Sequence, residues 1–285
     1  MNNEIIILKD RSLLEIQGAD RKKFLQSLIT NDINKLAADS LIYSALLNPQ
    51  GRFLYDFFIF EIDDKIYIDC HEARVEEIFK KLSFYKLRSL VEIKIVSDFK
   101  VAQIMLGNHP CELTKDDHVY QDPRHKEMGL RIYCKNLEHF AAQNQLMIAA
   151  SQNYYHLKRI LLKIAEGQYD LIYDKSFILE YDFDNLNAID YKKGCYVGQE
   201  VTARTHYRGQ IRKKLFHIQI DSLDKIEKGV EINCQEKVVG LVLSSIFSEG
   251  KLNALALFKI GDEDFASPDL QNQLRVMDNK IIIIS

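Results

Sequence analysis

Apolar positions in this chain follow two periods, and the switch between them outlines the elements. Phe24, Leu25, Leu28 and Ile29 recur at helical spacing after the turn residues Gly18-Ala19-Asp20, which predicts a helix from about Asp20 to Ile29 with Asp20 as its cap. Alternating runs at 42–47 and 53–62 predict two strands, joined by Asn48-Pro49-Gln50-Gly51; proline presets φ for such a turn and glycine admits its positive φ. A strand over 65–70, a helix over 72–86 with Val75, Ile78, Phe79, Leu82 and Tyr85 on one face, and strands at 91–96 and 100–105 follow. This order predicts an α+β layer, a ferredoxin-like subdomain over about 50–106.

Further along, Asp122-Pro123-Arg124 reads as a turn, open to either an internal ion pair or a ligand contact, before a strand at 130–134. Helices are expected over 137–147 and 153–165, the second with Tyr154, Leu157, Leu161 and Ile164 inward and Gly167 as its stop. From Arg212 onward the pattern is strand-only, which predicts a small β-barrel or sandwich. The expected division is therefore 1–211 and 212–285.

Composition changes this picture little. The 285 residues are 47% hydrophobic and 28% charged, with a formal net charge of -3. That balance supports a buried core, and the acidity argues against a dedicated nucleic-acid binder. The N-terminus has no basic region leading into an apolar one, and no apolar run approaches the ~20 residues of a membrane helix, so a cytoplasmic protein is expected. The five cysteines, at 70, 111, 134, 195 and 234, form no CxxC pair, so neither a disulfide framework nor a self-contained metal site is predicted. His71, His109, His118, His125 and His139 show no metal-ligand spacing.

One segment departs from the rest. Between Lys192 and Lys214 lie seven cations and a single acid, Glu200. The bland reading is a solvated basic face. The functional one rests on Cys195, which is bracketed by Gly194 and Gly198, follows Lys192 and Lys193, and precedes a helix start near Gln199. Such surroundings favour a thiolate, while a lone cysteine is also an ordinary small core residue.

The string Lys193-Gly194-Cys195-Tyr196-Val197-Gly198-Gln199-Glu200 resembles the KGCYxGQE signature of the YgfZ/GcvT-type folate-binding family. ADRKKFLQSLITNDI, LLNPQGRFLYDFFIF, DPRHKEMGLRIY and ARTHYRG resemble its other blocks, in the family's order, so the likeness spans most of residues 18–214. The resemblance implies a fold shared with the glycine-cleavage T-protein aminomethyltransferase: three domains around a central channel that holds a tetrahydrofolate, and a C-terminal β-barrel. It further implies a folate-binding accessory protein in iron–sulfur cluster assembly or repair, indirectly supporting tRNA modification. Its partners would be assembly proteins or client enzymes.

Carried over, Cys195 is the working thiol and a transient cluster ligand, with Lys193 beside it. Gly194, Tyr196, Gln199, Glu200, Arg204, Arg208 and Asp56 are the candidate folate contacts, with Arg204 or Arg208 meeting its carboxylates. Two alternatives remain. A tetrahydrofolate-dependent aminomethyltransferase needs a base, yet Tyr55-Asp56 stands where those enzymes have adjacent aspartates. A tRNA-binding module would use the basic segment. The chain has no tryptophan, so any folate-stacking rings are Tyr or Phe. A monomer is expected, and direct nucleic-acid binding is not.

Overall fold

The computed structural model describes residues 3–37, 39–105, 109–261, 265 and 267–284. The chain forms two compact units. The first comprises Met1–Gln50, Leu54–Tyr155 and Asp184–Gln199; the second comprises Gly51–Phe53, His156–Phe183 and Glu200–Ser285. The second unit thus recruits residues well before 212, in addition to the strand-only tail.

The first unit holds β1 (Glu4–Ile7), β2 (Arg11–Gln17), α1 (Arg21–Gln26), β3 (Ile42–Leu47), most of β4 (Phe53–Ile62), β5 (Lys65–His71), α2 (Val75–Lys86), β6 (Glu92–Val96), β7 (Lys100–Ile104), β8 (Asp117–Gln121), β9 (Leu130–Cys134), α3 (Leu137–Gln143) and β10 (Met147–Ile148). Two five-stranded sheets result, ordered β3-β4-β5-β2-β6 and β10-β1-β7-β9-β8. The strands at 92–96 and 100–104 therefore lie in different sheets, and the segment 50–106 does not close into one layer.

The period of two in β5 sorts its side chains. Ile66, Ile68 and Cys70 join Phe24 and Leu25 of α1 and Ile78 and Leu82 of α2 in one core. In the other sheet Ala102, Ile104, Ile132 and Cys134 pack on Leu137 and Phe140 of α3. The opposite faces of the two sheets meet each other. Phe60 of β4 stacks on Tyr133 of β9 at 4.1 Å between ring centroids. Asp69 of β5 lies 2.7 Å from Arg11 Nε and 2.6 Å from Arg131 Nη2, and accepts from the Tyr133 hydroxyl at 2.8 Å. The guanidiniums of Arg131, Arg124 and Arg11 stand 4.0, 4.7 and 5.6 Å from the centre of the Phe58 ring. Burial alone would raise the Asp69 pKa; Arg11 and Arg131 outweigh it and hold the carboxyl below its ordinary range. The turn at 122–124 carries an internal ion pair, Arg124 Nη2 to Asp122 Oδ2 at 2.8 Å, fully buried.

The second unit contains most of α4 (Asn153–Leu161), α5 (Gly167–Asp170), nearly all of α6 (Gln199–Arg208), β11 (Lys213–Ile220), β12 (Glu231–Cys234), β13 (Lys237–Ser248), β14 (Lys251–Lys259), α7 (Pro268–Gln271), β15 (Leu274–Val276) and β16 (Asn279–Ile283). The six strands close as a barrel, β11-β14-β13-β12-β15-β16, with β11 pairing back to β16. Closure leaves no open sheet edge. Ile218, Val242, Leu252, Phe258 and Val276 are among the residues that fill it.

Four local expectations are corrected. Asp20 makes no side-chain cap; its carboxylate accepts from the backbone N–H of Leu90 at 2.8 Å. The helix expected over 137–147 ends at Gln143. α4 ends at Leu161 and buries a different face, since Tyr155, Arg159 and Ile160 are inside while Tyr154 and Leu161 are exposed. The reason is electrostatic. Arg159 pairs with buried Asp170 at 2.6 Å, and Asp170 also accepts from Ser244 N of β13 at 3.1 Å. Gly167 opens α5 rather than stopping α4.

Candidate functional site

The signature loop is held to the end of α1 by a dense set of hydrogen bonds within the first unit. Thr30 donates its hydroxyl to Ala188 O at 2.7 Å, and its own carbonyl accepts from Asp190 N at 3.0 Å. Asn31 donates to Asn187 O and Tyr43 O, both at 2.8 Å. Asp190 turns the chain by accepting from the backbone N–H groups of Lys192 and Lys193, at 2.7 and 3.1 Å, and pairs with Lys35 at 2.8 Å. Burial works against its charge, but Lys35 and those two N–H groups outweigh it and keep the carboxyl below its usual range.

Lys193 is buried, and its ammonium donates to Ile29 O at 2.6 Å and Asn31 O at 2.7 Å. It also lies 5.1 Å from the Tyr196 ring centre. Burial pushes this lysine down to about 8. Those two bonds fasten the loop to the turn after α1. Tyr196 is buried, and Val197 N donates to Ser27 O at 3.2 Å. Cys195 sits between these fastened residues and is exposed. Of the other cysteines, Cys70, Cys134 and Cys234 are buried and Cys111 is half-buried. Burial pushes the Cys70 and Cys134 thiols up to about 12, which keeps them protonated at neutral pH.

The two bracketing glycines differ. Gly198 has φ +83°, a left-handed conformation that suits glycine, and turns the chain into α6 at Gln199 as expected. Gly194 has no such φ, and a Cβ there meets open space, so no conformational need for glycine is seen at that position.

Asp56 is half-buried on β4 and accepts from the Tyr43 hydroxyl. Tyr55 is buried and directs its hydroxyl to Glu77 of α2 at 3.2 Å. Arg204 and Arg208 belong to the second unit, on α6, and both are exposed. Arg204 lines a cleft of about 920 Å³ with Phe177, Leu179, Thr205, Arg212 and Lys213. Glu200 is exposed and Gln199 half-buried, at the first turn of the same helix. No group of three or more metal-ligating side chains is present among the described residues, and no helix among them is long and apolar enough to cross a membrane.

Thr30, Asn31 and Asp190 are not legible as site residues in the sequence. The signal lay in ITNDI, three polar residues enclosed by apolar ones, of which Thr30 and Asn31 are buried.

Residues 9–106 match the GCVT N-terminal domain family. The chain covers 99% of itself and 85% of the crystal structure of glycine cleavage system aminomethyltransferase T from Bartonella henselae, with TM-score 0.75 at 13% identity. The fold is GcvT-like. At that identity the likeness speaks for the fold alone.

In sequence, the chain is 31% identical over 259 residues to the iron-sulfur cluster assembly factor IBA57 homolog, mitochondrial, of Dictyostelium discoideum, covering 77% of this chain and 63% of that protein. It is 32% identical over 224 residues to the protein of the same name from Mycosarcoma maydis, covering 72% and 54%. It is also 32% identical over 229 residues to the one from Neurospora crassa, covering 73% and 52%. The chain thus spans between half and two thirds of the length of these relatives. Their names overturn the expected cytoplasmic placement, since all three are called mitochondrial.

Proposed function

We propose that this GcvT-like chain serves iron–sulfur cluster assembly or repair, with Cys195 as its working thiol. The observation that carries the reading is the exposure of Cys195 on a loop whose neighbours are fastened by Lys193, Asp190 and Val197. A thiol so placed can meet a partner's cluster without the loop having to order itself first, which lowers the entropic cost of the encounter. The cluster is cargo, and Cys195 supplies one ligand in passing. The names of the sequence relatives support this role. Its partners are then assembly proteins and cluster-containing client enzymes, tRNA-modifying enzymes among them.

Tetrahydrofolate is the small molecule proposed for the fold. What supports it best is Asp56: a half-buried carboxylate oriented by Tyr43 is a fitting acceptor for the amino edge of a pteridine. A folate-dependent aminomethyl transfer has less support. The hydroxyl of Tyr55, where a second aspartate would stand, is engaged by Glu77 of α2.

The test is complementation. Cells lacking the protein receive either the wild-type chain or Cys195→Ala, and the activity of their cluster-containing enzymes is measured. Cys195→Ala is expected to accumulate normally and to restore nothing. Full restoration by that variant ends the proposal. Calorimetry with tetrahydrofolate, on wild type and Asp56→Asn, tests the ligand separately.

A further inference from the structure

The second unit carries a concentration of positive charge that the cluster-assembly reading does not use. Arg204 and Arg208 are one helical turn apart on α6, and both are exposed. Neither they nor Arg212 has a carboxylate within ion-pair distance among the described residues, whereas Lys213 is paired with Glu180 at 2.9 Å. The 920 Å³ cleft that Arg204 and Arg212 line has Phe177, Leu179 and Ile211 on its walls. Two of its lining residues are exposed apolar side chains, Ile260 at 47% and Ile211 at 40%, and Tyr207, 66% accessible, stands between Arg204 and Arg208 on α6. Unpaired arginines beside exposed tyrosine and isoleucine have the composition of a protein interface, where Arg and Tyr are enriched. A small anion alone gives no reason for exposed apolar groups. The chain as a whole carries -3, so the charge is a local feature.

We infer that the cleft beside α6 docks an acidic segment of a partner protein, one that interleaves Asp or Glu with apolar side chains. The inference goes beyond the role of Cys195 and does not depend on it. The carboxylates pair with Arg204, Arg208 and Arg212, and the apolar residues cover Tyr207 and Ile211.

Fluorescence anisotropy on the full chain tests it, with a labelled 12-residue peptide alternating Glu with Leu and Phe. The same peptide with Lys for Glu is the comparison. The acidic peptide is expected to bind at low salt and the basic one not at all. Arg204→Glu combined with Arg208→Glu is expected to weaken binding at least tenfold, and Tyr207→Ala severalfold. A control pair with the same change in net charge, Lys225→Glu with Lys251→Glu, lies on neither α6 nor the cleft lining and is expected to leave binding within twofold. If the charge-reversed pair melts early, Arg204→Gln with Arg208→Gln replaces it, and the same direction is expected. Equal losses in the control, no binding of the acidic peptide, or its stoichiometric displacement by tetrahydrofolate each overturn the inference; so does exclusive binding of RNA with a steep salt dependence. None of these readouts touches cluster-enzyme activity, so the Cys195 reading stands or falls apart from them.

Discussion

The ammonium of Lys193 lies 2.6 and 2.7 Å from the carbonyl oxygens of Ile29 and Asn31, more than 160 positions earlier in the chain. The first residue of the signature string thus belongs to the turn after α1 as much as to its own loop. Lys193→Met keeps the stem's length and removes the donors, leaving two buried carbonyls short of a partner at a cost of about 1–3 kcal/mol. Urea denaturation is expected to show that loss, and alkylation of Cys195 in the variant is expected to change rate because its loop is released. An unchanged midpoint together with an unchanged rate would show that the ammonium does not fasten the loop.

Thiol access gives a second expectation. With limiting iodoacetamide on the native protein, mass spectrometry should find Cys195 modified first, with Cys70 and Cys134 modified only on unfolding, because burial both covers them and keeps them protonated. Cys195→Ser, a change at an exposed position, should alter stability by no more than about 0.5 kcal/mol. Early labelling of Cys70 would contradict the packing of β5 against α1 and α2.

Much of the fold was legible, and the limits have physical causes. Strands 42–47 and 53–62, α2 and the terminal barrel strands follow from local alternation and turn chemistry, which act over a few residues. Sheet membership does not: β6 and β7 are adjacent in sequence, yet β6 pairs with β2 and β7 with β1 and β9. The buried face of α4 escapes an apolar-stripe argument, which places an arginine outside, whereas Arg159 is inside with Asp170. The motif around Cys195 could be read as a string, but its fastening to Thr30 and Asn31 depends on contacts across the chain that no local pattern contains.

The two glycines of the signature should respond differently to alanine. At Gly198 the φ of +83° places a Cβ in a costly conformation, so Gly198→Ala is expected to lose about 1–2 kcal/mol. At Gly194 a methyl group meets no atom, and Gly194→Ala is expected to stay within about 0.5 kcal/mol of wild type. Thermal melts of the two variants side by side make the comparison. A large loss at Gly194 would mean that the position is crowded in a way the structure does not show.

The pairing of Asp69 with Arg11 and Arg131 makes the first unit sensitive to acid. Its carboxyl is held below the ordinary aspartate range in the folded state, because the two guanidiniums outweigh the effect of burial. The unfolded chain therefore takes up this proton first as pH falls. The stability the carboxylate contributes is complete above the unfolded pKa and is lost as pH drops through the folded one. Asp69→Asn leaves two arginines facing an amide, and removing one member of a buried pair costs about 3–5 kcal/mol. The expected result of urea titrations at several pH values is a gap of that order between wild type and Asp69→Asn at pH 7. The gap should hold down to about pH 5 and narrow below pH 4. A gap independent of pH down to the acid limit would mean that Asp69 carries no charge in the folded protein, and that Arg131 is held by Tyr133 and the face of Phe58 instead.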